Sequence, residues 1–334
     1  MFDLLNPDDL NELGMSGPRP PTLQSGRRGF KLVLLLAGIL FLLWQIPQSI
    51  SRPGKSGAVR GARAEKIELP GIVLPPKPIN DSQPRINARY WALYDPASGY
   101  LVAGNEAETP VPIASLTKMM TAIIVIERYD FAKVVEVSKN AVSVIGSDAK
   151  LRLGEKITIE SLLKSLLISS ANDSAYALAE QHEGGLDGFI KAMNEKAVQL
   201  GLHKTEFKDP AGLDDAGRST AKDLAVLSNY FLKHPKLAEI VKIAKTTISS
   251  TDGKLVHELE SSNRLIKEEL YYPGILGIKT GFTPDAGHSI TVAAERDGHR
   301  LVAVVLNTYL NTKDASAREA AKLLDWGFTN LTWD

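Results

Sequence analysis

Ser115 and Lys118 stand three residues apart at the start of a stretch, 115–128, that contains neither glycine nor proline. On a helix such a pair shares one face. A serine hydroxyl is a weak nucleophile until a base within hydrogen-bonding distance takes its proton. A lysine can be that base only when neutral, which requires its pKa to fall from about 10.4 toward 7, roughly 4–5 kcal/mol at about 1.4 per unit. Burial and a second cation both push it that way. Lys279 is the obvious cation, and its Lys279-Thr280-Gly281 triplet occurs once in the chain. On a strand, Lys279 and Gly281 point to one face and Thr280 to the other, and the glycine lets a substrate lie close to the strand edge. A third group, Ser170-Ala171-Asn172, falls at a break between two apolar stretches. There Ser170 can relay a proton to a leaving group, and Asn172 can bind a substrate amide.

Each signal alone also has a plainer reading. Ser-x-x-Lys recurs at Ser147/Lys150, Ser161/Lys164 and Ser219/Lys222, and Ser-x-Asn recurs at Ser138/Asn140 and Ser261/Asn263. Ser115 by itself reads equally well as the cap of a surface helix, Asn172 or Asp173 as the start of the next one, and Lys279 as a solvated strand end. The order and wide separation of the three groups single out one member of each set. Composition removes the competitors. The chain has no cysteine, so thiolate nucleophiles, disulfides and cysteine metal sites are excluded. Lys+Arg and Asp+Glu are both 39, which gives no support for a nucleic-acid partner. His182, His203, His234, His257, His288 and His299 show no metal-ligand spacing and no Ser-His-Asp arrangement. A serine enzyme with a lysine base, needing no metal or cofactor, is what remains.

These groups need elements to hold them. Pro110 and Pro112 stop any earlier helix, which predicts Ser115 in the first turn of a helix over 115–128. Unpaired N–H groups and the positive end of the dipole there favour a developing oxyanion. Further helices are predicted over 159–168 and 172–182, split by Ser169-Ser170-Ala171, and over 186–200, 219–232 and 315–328. Residues 88–94 and 100–103 read as a hairpin about the turn Asp95-Pro96-Ala97-Ser98-Gly99. After residue 246 the pattern changes to short apolar runs at 276–279, 289–294 and 301–307, read as strands. Strands at both ends with helices between predict an α/β (α+β) fold: one antiparallel sheet built from both termini of the domain, and a helical lobe packed on it.

Upstream, residues 1–29 are polar and read as a tail. Residues 32–44 are uninterrupted apolar sequence, and with their neighbours approach the roughly 17–20 residues that a membrane helix needs. A membrane anchor over 30–50 is therefore expected. A cleaved signal is disfavoured by the long preceding tail and the absence of a small-x-small site directly after the run. Residues 51–86, rich in proline and basic residues, read as an extended linker, and 87–334 as the folded domain. Arg27, Arg28 and Lys31 on one flank are matched by Arg52, Lys55, Arg60 and Arg63 on the other, so flanking charge does not orient the anchor.

Ser-x-x-Lys, Ser-x-Asn and Lys-Thr-Gly in this order are the signature of the serine penicillin-recognising enzymes. Over 87–328 the chain resembles the serine D-alanyl-D-alanine carboxypeptidases, low-molecular-mass penicillin-binding proteins with the serine β-lactamase-like fold. The likeness extends through Pro112-Ile113-Ala114-Ser115-Leu116-Thr117-Lys118, Leu166-Leu167-Ile168-Ser169-Ser170-Ala171-Asn172, Asp209-Pro210-Ala211-Gly212-Leu213 and Leu323-Leu324-Asp325-Trp326-Gly327-Phe328. The resemblance implies Ser115 as the acylated nucleophile, Lys118 as proton acceptor and Ser170 as partner in proton transfer. It implies Asn172, Lys279, Thr280 and Gly281 in substrate binding, with an oxyanion hole from the backbone N–H of Ser115 and Phe282. It further implies peptidoglycan stem peptides as substrate, β-lactam antibiotics as covalent inhibitors, and a domain outside the cytoplasmic membrane of a bacterium. Two features depart from the family. The chain ends at Asp334, where many relatives continue into a β-rich domain and a C-terminal anchor. Ser316 stands where many have an arginine for the substrate carboxylate, which leaves Arg264 and Arg318 as candidates and carboxypeptidase against endopeptidase open. A β-lactamase and a catalytically silent wall-binding protein are the other readings; no Glu-x-x-Leu-Asn follows Asn172 to activate a deacylating water, and the intact motifs weigh against a silent protein.

Overall fold

In the computed structural model, residues 73–333 are described. The tail over 1–29, the anchor over 30–50 and the first part of the linker lie outside them. Among the described residues no helix is long and apolar enough to cross a membrane. The elements run β1 (Ala88–Asp95), β2 (Tyr100–Asn105), α1 (Lys118–Arg128), α2 (Ile159–Ile168), α3 (Asn172–Ala179), α4 (Gly185–Gln199) and α5 (Ala221–Leu232). They continue with β3 (Lys245–Ser249), β4 (Val256–Glu260), β5 (Ile275–Gly281), β6 (Ser289–Arg296), β7 (His299–Thr308) and α6 (Ala315–Asn330).

The central sheet is antiparallel throughout, in the order β5-β6-β7-β1-β2. The first hairpin closes as its turn residues require. Gly99 takes φ +72, its N–H bonds Asp95 O, and the Asp95 carboxylate accepts from Ser98 N. Both faces of the sheet are covered, so β7 is buried without a break from Leu301 to Leu306, and its sequence shows a continuous apolar run in place of alternation. One face carries Leu93, Val292, Ala303 and Val305 against Ala320, Leu323 and Leu324 of α6. Gly327 lets that helix come close, because a Cβ there would meet Leu301 and Leu93 side chains at 2.6 and 2.8 Å. The other face, with Ala92, Val302 and Val304, joins the core of the helical lobe.

At the centre of that lobe lies α1, buried from Lys118 through Val125. A helix apolar on nearly every side belongs inside a protein, and burial of Met119, Met120, Ile123 and Ile124 stabilises it by roughly 1.5–3 kcal/mol per side chain. That packing carries Lys118 into the interior with it. The helix begins at Lys118, however, and Ser115 lies in a separate 3₁₀ turn, Ala114–Thr117, where a single helix over 115–128 was expected. Ala114 at φ +47 makes the turn, a conformation uncommon without glycine and costing about 1–3 kcal/mol. The hairpin β3–β4 was not foreseen from the sequence, nor was the short strand Lys77–Pro78, which pairs with Leu331–Thr332. Part of the segment read as linker is thus tied to the folded domain.

Candidate active site

Lys118 Nζ lies 2.8 Å from Ser115 Oγ, 2.7 Å from Asn172 Oδ1 and 2.7 Å from Ala211 O, and its side chain is fully buried. A neutral amine has two N–H donors and one lone pair. The two carbonyl oxygens take the donors, which leaves the lone pair for the Ser115 hydroxyl. Burial holds the Lys118 pKa well below the ordinary lysine value, with the charge of Lys279 pushing the same way and those of Asp209 and Asp173 opposing. Lys279, 1% exposed, is itself pushed down to about 7 by burial. Its Nζ donates to Ser170 Oγ at 2.9 Å and to Thr280 O at 2.9 Å. The two motif lysines therefore sit in the dry interior, each attached to one motif serine.

Ser170 reaches Lys279 from a left-handed backbone at φ +64 in the break between α2 and α3, the break read from Ser169-Ser170-Ala171. Asn172 is 3% exposed and is turned toward the lysine. Its oxygen accepts from Lys118 and its amide donates to Ile145 O at 2.6 Å, which leaves one N–H for another acceptor. Its main contribution in this geometry is to position Lys118. Gly281, at the end of β5, runs beside the nucleophile turn: a Cβ there would meet Ile113 O at 3.0 Å and Ser115 N at 3.2 Å. Thr280 Oγ1 donates to Ser262 Oγ at 2.6 Å.

Ser115, Ser170, Thr280, Gly281 and Phe282 all line one cleft of about 650 Å³, a volume suited to a peptide-sized ligand. Phe282 is half exposed and stacks on His288 at 4.4 Å between ring centres. Arg264 and Ser316 also line the cleft. Arg318 is not among the lining residues and pairs with Asp314 at 2.6 Å.

Several parts of this site have no side-chain signature of their own. The Ala211 carbonyl is a backbone group, held in place by Asp209. The Asp209 carboxylate accepts from the N–H groups of Ala211, Gly212, Leu213 and Asp214 at 2.6–2.9 Å. An Asp-Pro pair two residues before a glycine is a turn signal, and it was the available clue. Asp173 does the same for the facing loop, taking Ala149 N and Leu151 N at 3.1 Å. Among the described residues no cluster of His, Cys, Asp or Glu could hold a metal ion.

The Peptidase_S11 family, described as D-alanyl-D-alanine carboxypeptidase, matches residues 77–309. The D-alanyl-D-alanine carboxypeptidase DacF of Bacillus subtilis is 33% identical over 249 residues, covering 72% of this chain. This chain spans 62% of that relative's length. A D-alanyl-D-alanine endopeptidase of Pseudomonas aeruginosa is 30% identical over 234 residues, covering 70% of this chain and 74% of its own. Among solved structures, the Streptomyces K15 DD-transpeptidase superposes with a TM-score of 0.70 at 28% identity, over 74% of this chain and 99% of that one. With the family matched across the sheet, the lobe and all three motifs, the chain belongs to the D-alanyl-D-alanine carboxypeptidase family.

Proposed function

We propose that the protein is a serine D,D-carboxypeptidase that removes the terminal D-alanine of peptidoglycan stem peptides. The observation that carries this is the buried Lys118 amine, its two donors taken by carbonyl oxygens and its third position 2.8 Å from Ser115 Oγ. Lys118 takes the hydroxyl proton as Ser115 Oγ bonds the carbonyl carbon of the penultimate residue. The backbone N–H groups of Ser115 and Phe282 stabilise the oxyanion. Ser170, in contact with Lys279 Nζ, passes a proton to the departing D-alanine amine. Water then hydrolyses the acyl-enzyme. Thr280, Gly281 and the free N–H of Asn172 hold the peptide. A penicillin enters as a substrate look-alike and acylates Ser115.

The full-length protein is expected to release D-alanine from a pentapeptide ending in D-alanyl-D-alanine, and Ser115→Ala to release none. A fluorescent penicillin distinguishes this from a β-lactamase: a long-lived adduct supports the carboxypeptidase, rapid turnover the lactamase. The similarity to a D-alanyl-D-alanine endopeptidase supports a second reading, cleavage of crosslinked peptides by the same acyl-enzyme. Digestion of defined muropeptides, with products identified by mass, separates the two. The apolar run over 32–44 supports a single membrane anchor, and a substrate in the wall argues for the catalytic domain on the outer side of the cytoplasmic membrane.

A further inference from the structure

The loop that steadies Lys118 also reaches the turn that follows β5. Its Asp209 carboxylate accepts from Asp214 N at 2.8 Å, and a turn closed by Gly217 N on Asp214 O comes next. That turn presents Asp215, whose carboxylate accepts a hydrogen bond from Thr283 Oγ1 at 2.7 Å, 68 residues away in the sequence. The Thr283 hydroxyl is used twice, since it also accepts from Ala286 N at 3.1 Å. Gly287 N donates to Thr283 O at 3.0 Å. Thr283 therefore heads the turn after β5 and is fastened to a segment outside the sheet. Only Phe282 stands between it and Gly281, the last residue of β5 that pairs with β6.

Phe282 carries one of the two N–H groups assigned to the oxyanion. Such a donor acts only when it points to within about 2.7–3.1 Å of the developing charge. Sheet pairing ends at Gly281, opposite Ser289, and a glycine lacks the Cβ that restricts its backbone. The peptide plane between Gly281 and Phe282 is therefore free to turn unless the next residue is held. We infer that Asp215 is a positioning residue: through Thr283 it sets the direction of the Phe282 N–H in the oxyanion hole. This rests on the reading of the protein as a carboxypeptidase that acylates Ser115. Asp215 does not line the cleft, so it acts without meeting the substrate. One loop then serves both halves of the chemistry. Its Ala211 carbonyl holds Lys118 at 2.7 Å, and its Asp215 holds the oxyanion donor in place.

The test uses the full-length protein and separates binding from transition-state stabilisation. Removing an oxyanion donor costs about 10²–10³-fold, and misdirecting one should cost less, about 10-fold. Asp215→Ala and Thr283→Val should each lower kcat/KM for a pentapeptide ending in D-alanyl-D-alanine, and acylation by a fluorescent penicillin, by about that factor. Both should weaken a peptide boronic acid to a similar extent, because its tetrahedral adduct on Ser115 puts an oxygen in the hole. The intact pentapeptide should bind Ser115→Ala equally well with or without Asp215→Ala, measured by calorimetry. Asp215→Asn and Thr283→Ser keep the hydrogen bond and should keep most of the activity. The double variant Asp215→Ala/Thr283→Val should be no worse than either alone, since each removes the same interaction. Unchanged acylation and boronic acid affinity in Asp215→Ala overturn the inference. So does a loss that appears equally in binding of the intact peptide, or losses that add in the double variant. A wild type that forms the penicillin adduct but releases no D-alanine overturns the carboxypeptidase reading alone, and the acylation rates still decide the role of Asp215. A wild type that forms no adduct brings down both.

Discussion

Lys118 can accept the Ser115 proton only while it is neutral, so the acid limb of acylation reports its pKa. Burial lowers that pKa, and the charge of Lys279 lowers it further. Lys279→Ala removes the second contribution, so the Lys118 pKa rises and the acid limb of acylation by a fluorescent penicillin should move to higher pH. A limb that stays in place would mean the two lysines are uncoupled. Lys118→Ala should slow acylation by about 10²–10⁴-fold, the usual loss on removing a general base. Stability carries the same signature with a definite sign. An unfolded lysine keeps its proton to about 10.4, whereas Lys279 in the folded protein gives its proton up near 7. Between those values the unfolded state binds more protons, so stability should increase as pH rises from 7 to 10. Lys279→Met should flatten that rise, measured as melting temperature against pH.

At the scale of elements, the nucleophile turn is clamped between two segments from distant parts of the chain. Gly281 of β5 lies on one side of it, and the Asp209-held loop lies on the other. Gly212 is the tightest point: it has φ +77, and a Cβ there would fall 1.8 Å from Ala114 O. Backbone cannot yield as a side chain tip can, so Gly212→Ala must displace the turn that holds Ser115. The expected cost is about 2–4 kcal/mol, a fall in melting temperature of roughly 5–15 °C, with acylation slowed in the surviving folded protein. Asp209→Ala should act through the same loop by freeing four backbone donors, of which the two at buried Ala211 and Gly212 are each worth about 1–3 kcal/mol if left unsatisfied. Unchanged melting and acylation in both variants would show that the loop has no part in holding Lys118.

For the whole molecule, the question is how the chain upstream of the cleft domain is exposed. Lys77–Pro78 pair with Leu331–Thr332, and Ile79 N donates to Asn330 O, so backbone from Lys77 onward is tied to the end of α6. Backbone paired in this way resists proteases, and the basic sequence over 51–66 offers them cleavage sites. Protease added to spheroplasts should therefore release an active, penicillin-binding fragment that begins after residue 50 and before Lys77. Protection until the membrane is lysed would place the domain inside and remove its access to the wall.

The three motifs, the break at Ser169-Ser170-Ala171 and the five strands of the sheet were legible in the sequence, because each is written in local periodicity and in the side chains themselves. So was a sheet drawn from both ends of the domain, since β1 and β7 flank a long helical middle. Only the tertiary structure decided what Lys118 touches. One of its acceptors is a backbone carbonyl, Ala211 O, 93 residues away, and a carbonyl has no residue-type signature. The separation of Ser115 from α1 depended on a left-handed Ala114 that no local rule favours. Pairing and burial are properties of neighbours, and neighbours across space are set by packing and not by spacing along the chain.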